Sequence, residues 1–167
     1  MGKRFIIHDL EEEQVKEIFG NISDNTLIFA AKPTVKYCIG CFGCWTKSPG
    51  LCIINDRSQQ TPAMLAASDE MIVISRNVYG GYSPDVKAVL DRNIGYLMPF
   101  FRIIKGEMHH TMRYDNPFIM RVHFYGIVDE ATKGIAQDLV KANALNMGAG
   151  SNQVYFHKSY SGIKEAI

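Results

Sequence analysis

"ASDEMIVISRNVYGGYSPDVKAVLDR", residues 67–92, decides how the rest of the chain is read. Glu70–Ser75, "EMIVIS", is an unbroken, β-branched apolar run, as expected of a central strand covered on both faces. "RNVYGGYS" follows as a loop, and Ser83 and Pro84 then make a good helix start as cap and first helical residue. Val86, Val89, Leu90, Ile94 and Leu97 recur at helical spacing behind them. Strand, loop and helix in this order form the repeating unit of a parallel α/β sheet, so the flanking sequence should hold more of the same.

It does. Arg4–His8 reads as a first strand, and Asp9 with Glu12 reads as a capping box for a helix whose buried side is Leu10, Val15, Ile18 and Phe19. Thr26–Ala31 is a second strand, and a short helix is expected near residues 60–67. Ile119–Tyr125 is a fourth strand; Asp129 opens a helix with Ile135, Leu139 and Ala142 inward and Gly148 near its end. Asn152–His157 is the last strand. Five strands with helical crossings predict one doubly wound α/β domain over residues 1–167, a parallel sheet of order 2-1-3-4-5 between two helical layers. Residues 99–117 follow neither period and are expected to form a lid, a partner surface or a meandering loop.

The composition is that of an ordinary globular protein: 167 residues, 47% hydrophobic, 21% charged, formal net charge +1. No basic run could track a phosphate backbone, so nucleic acid is not expected as a partner. No segment approaches membrane length, and the apolar patch near the N-terminus is too short for a signal peptide core; the expectation is a cytoplasmic protein without a membrane.

Ligands of an open parallel sheet bind beyond the carboxyl ends of its strands, where the strand order reverses. Three loops emerge there: His8–Glu11, the cysteine-bearing loop after the second strand, and Arg76–Ser83. In the last, Gly80 and Gly81 would let the backbone approach a flat ligand, Tyr79 and Tyr82 would stack on it, and the amides of "NVYGG" would meet a heterocycle edge. The alternative is a Gly-Gly turn with two half-buried tyrosines. The cysteine loop, "KYCIGCFGCWTKSPGLC", carries all four cysteines, Cys38, Cys41, Cys44 and Cys52, as C-x2-C-x2-C-x7-C. Disulfides suit an oxidising compartment, and zinc knuckles come in separated pairs. Three close cysteines with a fourth nearby suit a cubane cluster held by one loop. A plain reduced loop is the standing alternative.

The stretch "CIGCFGCWTKSPGLCIINDR" followed by "ASDEMIVISRNVYGGYSPDVKAVLDR" resembles the NADPH-dependent FMN reductase and iron-sulfur flavoprotein group of flavodoxin-like proteins. The resemblance covers roughly residues 36–100 specifically and the remainder by element order. It implies a flavodoxin-like fold, FMN as cofactor and NAD(P)H as reductant. The ring would lie along Asn77, Val78, Tyr79, Gly80, Gly81 and Tyr82, with Tyr125 and Gly126 lining it from the next strand end. It also implies a [4Fe–4S] cluster on the four cysteines. The function it implies is a flavin-dependent oxidoreductase serving a small-molecule redox substrate or an electron-carrier protein, assembled as a homodimer or larger with "YLMPFFRII", residues 96–104, buried between copies.

One departure stands out. The group carries a Gly/Ser/Arg-rich loop after strand one that cradles the FMN phosphate, whereas this chain has "HDLEEEQ". Glu11, Glu12 and Glu13 complement the helix dipole but are the wrong sign for a phosphate. Each unit charge at about 6 Å repels by roughly 0.7 kcal/mol in water. His8 is the only compensating group read there. A second function class therefore stays open: a flavodoxin-like binding or assembly module that has lost the phosphate loop and holds no FMN. Glu107, His109 and His110 read as loop surface and not a metal site; Lys87, Asp91 and Arg92 read as an ion-paired helix face. Trp45 reads as an anchor of the cysteine loop or as a packing surface for a flavin or a subunit.

Overall fold

The computed structural model describes residues 2–20 and 22–164. Five parallel strands form one sheet: β1 (Arg4–His8), β2 (Thr26–Ala30), β3 (Glu70–Arg76), β6 (Ile119–Tyr125) and β7 (Ser151–His157). Their order is β2-β1-β3-β6-β7, which is 2-1-3-4-5 when only these five are counted. The order reverses between β1 and β3, so the strand ends there open onto the crevice that an α/β sheet offers a ligand.

Alternate residues of the central strands serve two cores, as a period of two requires. Phe5 and Ile7 of β1 and Met71 and Val73 of β3 face one side, and Ile6, Ile72 and Ile74 face the other. All are essentially fully buried, each worth about 1.5–3 kcal/mol in transfer from water. This two-sided burial is why the strands read as unbroken apolar runs. The first face is covered by α3 (Thr61–Ala66), α4 (Pro84–Arg92) and α5 (Glu130–Met147), through Leu65, Val86, Val89, Ala136 and Val140. The second face is covered by α1 (Glu12–Phe19) and a 3-10 turn at Tyr160–Ile163, through Ile18 and Ile163. Over β6 and β7 that second face carries rings instead: His123 stacks between Tyr155 and His157, with ring centroids at 4.7 and 5.3 Å. Burial, then the neighbouring His157 and Arg121, depress the His123 pKa to about 4.

Four local expectations are corrected. The cap of α1 is Glu11, whose N–H donates to Gln14 Oε1 at 2.9 Å, and not Asp9. Helix α4 ends at Arg92, so Ile94 lies in a following 3-10 turn and Leu97 begins a strand. The inner face of α5 is Ala136, Val140 and Ala144; Ile135 and Ala142 are exposed, and Leu139 is half-buried. Residues 97–112 are not an irregular loop: β4 (Leu97–Ile104) and β5 (Glu107–Met112) form an antiparallel hairpin. Its register shifts between Leu97 and Phe101, where Pro99 cannot donate to a ladder. Phe100, Phe101, Ile103 and Met108 stand exposed on it. Among the described residues no helix is long and apolar enough to cross a membrane.

Candidate functional site

At the carboxyl end of β1 the chain supplies its own anion. Asp9 is buried, and its carboxylate accepts the Arg76 backbone N–H at 3.0 and 3.3 Å and the Tyr125 hydroxyl at 3.0 Å. It thus ties β1 to the ends of β3 and β6. Burial and the adjacent Asp9 charge push the Tyr125 phenol far above its ordinary range, so it remains a hydrogen-bond donor. His8 is buried too, and burial lowers its pKa despite the Asp9 charge, leaving it neutral near pH 7. Two cations lie near it, neither adjacent in sequence: Lys32 pairs with Glu11 at 2.7 Å, and Arg57, whose charge adds to the lowering of the His8 pKa, donates to the Ala30, Ala31 and Pro33 carbonyls. Glu12 and Glu13 complete an acidic first turn of α1. A phosphate dianion meets the carboxylates of that turn here, although Arg76 stands exposed at the end of β3 with no ion-pair partner among the described residues. The strand-one turn itself is the wrong sign for the phosphate of FMN.

The loop after β3 is also closed on itself. Val78 and Gly81 exchange N–H···O bonds at 3.0 and 2.9 Å, the Gly80 N–H donates to Asn77 Oδ1 at 3.2 Å, and the Asn77 N–H donates to the Tyr125 carbonyl at 2.9 Å. Four of the five amides expected to meet a heterocycle, those of Asn77, Val78, Gly80 and Gly81, are therefore spent inside the protein. Gly80, at φ +83°, is required by packing: a Cβ there would meet Ile135 Cβ of α5 at 2.8 Å. Tyr82 is a core residue that stacks on Phe124 and accepts a hydrogen bond from Asn143 Nδ2; burial pushes its phenol up to about 12. Gly126 donates its N–H to the His157 carbonyl, and Tyr125 is held by Asp9. Of the eight residues expected along a ring, Asn77, Val78 and Tyr79 line an open cleft of about 350 Å³, facing Ile127 and Thr132. Tyr79 and Ile127 are 94% and 99% exposed.

The cysteine loop is built differently. A one-turn helix, α2 (Gly43–Thr46), places Cys44 inward, while Cys38 and Cys41 stand exposed and Cys52 half-buried. All four line one cavity with Ile54 and Arg92. As it stands the cavity is about 60 Å³, the room of roughly two waters, and Cys38 and Cys41 form its outward wall. Among the described residues no three His, Cys, Asp or Glu side chains gather closely enough for a single metal ion. Burial, followed by the neighbouring Cys52, raises the Cys44 pKa, with Cys38 and Cys41 adding to the rise. Four thiolates cannot share this space without a cation among them.

Both ends of the loop are clamped by one residue. Arg92, with its side chain fully buried, forks onto Asp56 with two bonds at 3.0 Å and donates to the Lys36 and Ile54 carbonyls at 2.7 and 3.0 Å. Lys36 precedes the first cysteine and Ile54 follows the last, so the guanidinium closes the loop at its base. Burial favours a protonated Asp56, yet Arg92, the Lys36 amide and Ser58 together hold its pKa below the usual value. Arg92 lines the cysteine cavity, and its Nε–H has no acceptor. The reading of Arg92 as part of a surface ion-pair face is corrected; only Lys87 and Asp91 pair on that face. Gly95 lets the loop cross close by, since a Cβ would meet the Gly50 carbonyl at 3.0 Å and Cys44 Cβ at 3.5 Å. Trp45 anchors α2 to the hairpin by donating to the Leu97 carbonyl at 2.9 Å, and a ladder of rings runs Phe42, Trp45, His110, Phe101. His109 and His110 are not loop surface: His109 is buried against Asn146, and His110 is half-buried in the ring ladder.

No protein-family profile and no curated protein match this sequence. Solved structures do. An NAD(P)H:quinone oxidoreductase from Methanothermobacter marburgensis aligns over 98% of this chain and 93% of its own, at 12% identity and a TM-score of 0.60. General stress protein 14 from Treponema denticola, solved in complex with FMN, aligns over 98% and 90%, at 9% identity and a TM-score of 0.58. The apo form of an NADH:FMN oxidoreductase aligns over 100% and 80%, at 11% identity and a TM-score of 0.57. At these identities the likeness establishes the fold, a flavodoxin-like parallel α/β sheet.

Proposed function

We propose that this chain is an electron-transfer oxidoreductase of flavodoxin-like fold whose redox centre is the cysteine pocket, with Cys38, Cys41, Cys44 and Cys52 as ligands of an iron-sulfur cluster. The observation that carries the reading is that all four cysteines line one cavity. The buried Arg92 clamp fixes both ends of the loop, and Arg92 lines the cavity with its Nε–H unpartnered among the described residues. Three cysteines at C-x2-C-x2-C spacing with a fourth close by suit a cluster held by one loop, and Cys38 and Cys41 would have to move outward to admit it. A bound cluster would supply one-electron chemistry; the chain's own part is to exclude water with Ile54 and Ile94 and to present the site beside an exposed apolar hairpin. That hairpin, with Phe100, Phe101 and Ile103 outward, is the proposed contact for a second copy or a carrier protein. Reconstitution with iron and sulfide under anaerobic conditions tests the reading. Wild-type protein should take up about four irons per chain and Cys44→Ser markedly fewer; equal, trace uptake by both would overturn it.

A second reading rests on the cleft between Tyr79 and Ile127, two large side chains left almost wholly in water on facing loops. A flavin ring would cover both, and NAD(P)H would serve as its reductant, as the names of the structural neighbours indicate for those proteins. The acidic edge predicts that riboflavin binds at least as tightly as FMN. A strong preference for FMN in fluorescence titration would refute this form of the reading.

A further inference from the structure

We propose that the groove between α4 and α5 is a binding site for a neutral, planar nitrogen heterocycle with a lactam or imide edge. The proposal rests on the carboxamides of that groove alone, and not on what the cysteine cavity holds. Asn93, just past the end of α4, is 3% exposed, and neither its Nδ2 nor its Oδ1 has a partner in the chain. A buried carboxamide with both ends unpaired is rare, because each end forgoes the bonds it made in water. Asn93 lines a groove of about 470 Å³, within the range of small-ligand sites.

Two further carboxamides line the same groove from α5. Asn143 spends one donor on the Tyr82 hydroxyl at 3.3 Å, and Asn146 Oδ1 faces His109 Nδ1 at 2.9 Å. Asn143 Oδ1 and Asn146 Nδ2 remain available. The groove thus offers both donors and acceptors, against a floor of Leu90, Ile94 and Met147. A carboxamide pairs side by side with a ring edge that carries adjacent N–H and C=O or ring-nitrogen groups. The apolar floor suits the face of the ring. The two charged residues at the groove, Lys87 and Asp91, neutralise each other, so nothing there favours a phosphate or a carboxylate. Cys38 borders both this groove and the cysteine cavity, which sets a bound ring next to the thiols.

Lumichrome, an uncharged fluorescent ring with an imide edge and no phosphate, is the probe. Titration of the full chain should show saturable quenching below millimolar concentration. Asn93→Leu should weaken that binding at least tenfold while leaving the melting temperature at or above that of the wild type, since no hydrogen bond within the chain is lost. Tyr79→Ala should leave affinity within twofold, because Tyr79 lines the other cleft. No saturable binding would overturn the proposal, as would full affinity in Asn93→Leu. If Asn93→Leu does not fold, side-chain amide resonances of the wild type decide. A shift of the Asn93 NH2 pair on adding lumichrome supports the site; contact with water alone, unchanged by lumichrome, overturns it.

Discussion

The carboxyl ends of β1 and β3, and the cysteine loop packed against the end of α4, treat their polar groups in different ways. Around β1 and β3 most donors have an internal acceptor: the Arg76 amide and the Tyr125 hydroxyl bind Asp9, and Val78, Gly80 and Gly81 pair within their own turn, while His8 Nδ1 and Asn77 Nδ2 are the buried nitrogens left without a partner among the described residues. Around the cysteine loop, buried groups are left waiting, among them Arg92 Nε and both ends of Asn93. Burying a polar group without a partner costs free energy that a fold recovers only when something else supplies the bond. The fold therefore carries a largely closed strand end, whose acidic turn repels a phosphate, and a more open region, where the cysteine loop and the end of α4 line cavities.

The largest effect should come from breaking the clamp of the open end. Arg92→Met leaves Asp56 without its fork and releases both ends of the cysteine loop, and should cost about 3–5 kcal/mol in denaturant unfolding. The double change with Asp56→Asn should cost clearly less than the sum of the singles; simple additivity would mean that the two do not form one unit. Next is a pH effect on the second face. An unfolded histidine titrates near 6.5, whereas folded His123 does so at about 4. Its contribution is whole above pH 6.5 and is lost as pH falls toward 4, at most about 3 kcal/mol. Comparing the pH dependence of stability in wild type and His123→Phe isolates it, and identical slopes would count against a buried neutral His123.

Smaller effects probe the closed edge. Gly80→Ala should cost about 2 kcal/mol, because the new Cβ meets Ile135 and Thr132 of α5 and the backbone sits at positive φ. If Gly80 instead made room for a ligand, the change would spare stability and alter only binding. Tyr125→Phe should cost about 1 kcal/mol by removing one of the three bonds to Asp9, with Asp9 still held by the Arg76 amide. A neutral result would show that Asp9 is not a shared acceptor there.

What the sequence made legible is what local pattern encodes. Glu70–Ser75 and Ile119–Tyr125 announce themselves because both of their faces are buried, and Ser83-Pro84 fixes the start of α4, the Ser83 hydroxyl accepting the Val86 amide. The inner face of α5 was displaced because small residues, Ala136 and Ala144, occupy the buried positions while Ile135 points outward. The hairpin was hidden because Pro99 and the register shift break its alternation, and because its aromatic side chains face solvent. Arg92 looked like one more surface charge beside Lys87 and Asp91; its true partner, Asp56, lies 36 residues earlier, and no periodicity links them. "NVYGG" read as a ligand loop for the same reason that it forms a tight turn, since free glycine geometry serves both. Only the hydrogen bonds distinguish the two.

The most direct test of the open-end account is the absorption spectrum of the full chain purified without air, with iron and flavin assayed on the same sample. The account predicts broad brown absorption, about four irons per chain and little tightly held FMN. A yellow protein with one FMN per chain and no iron would contradict it, and would mean that the edge closed by Asp9 opens for phosphate after all.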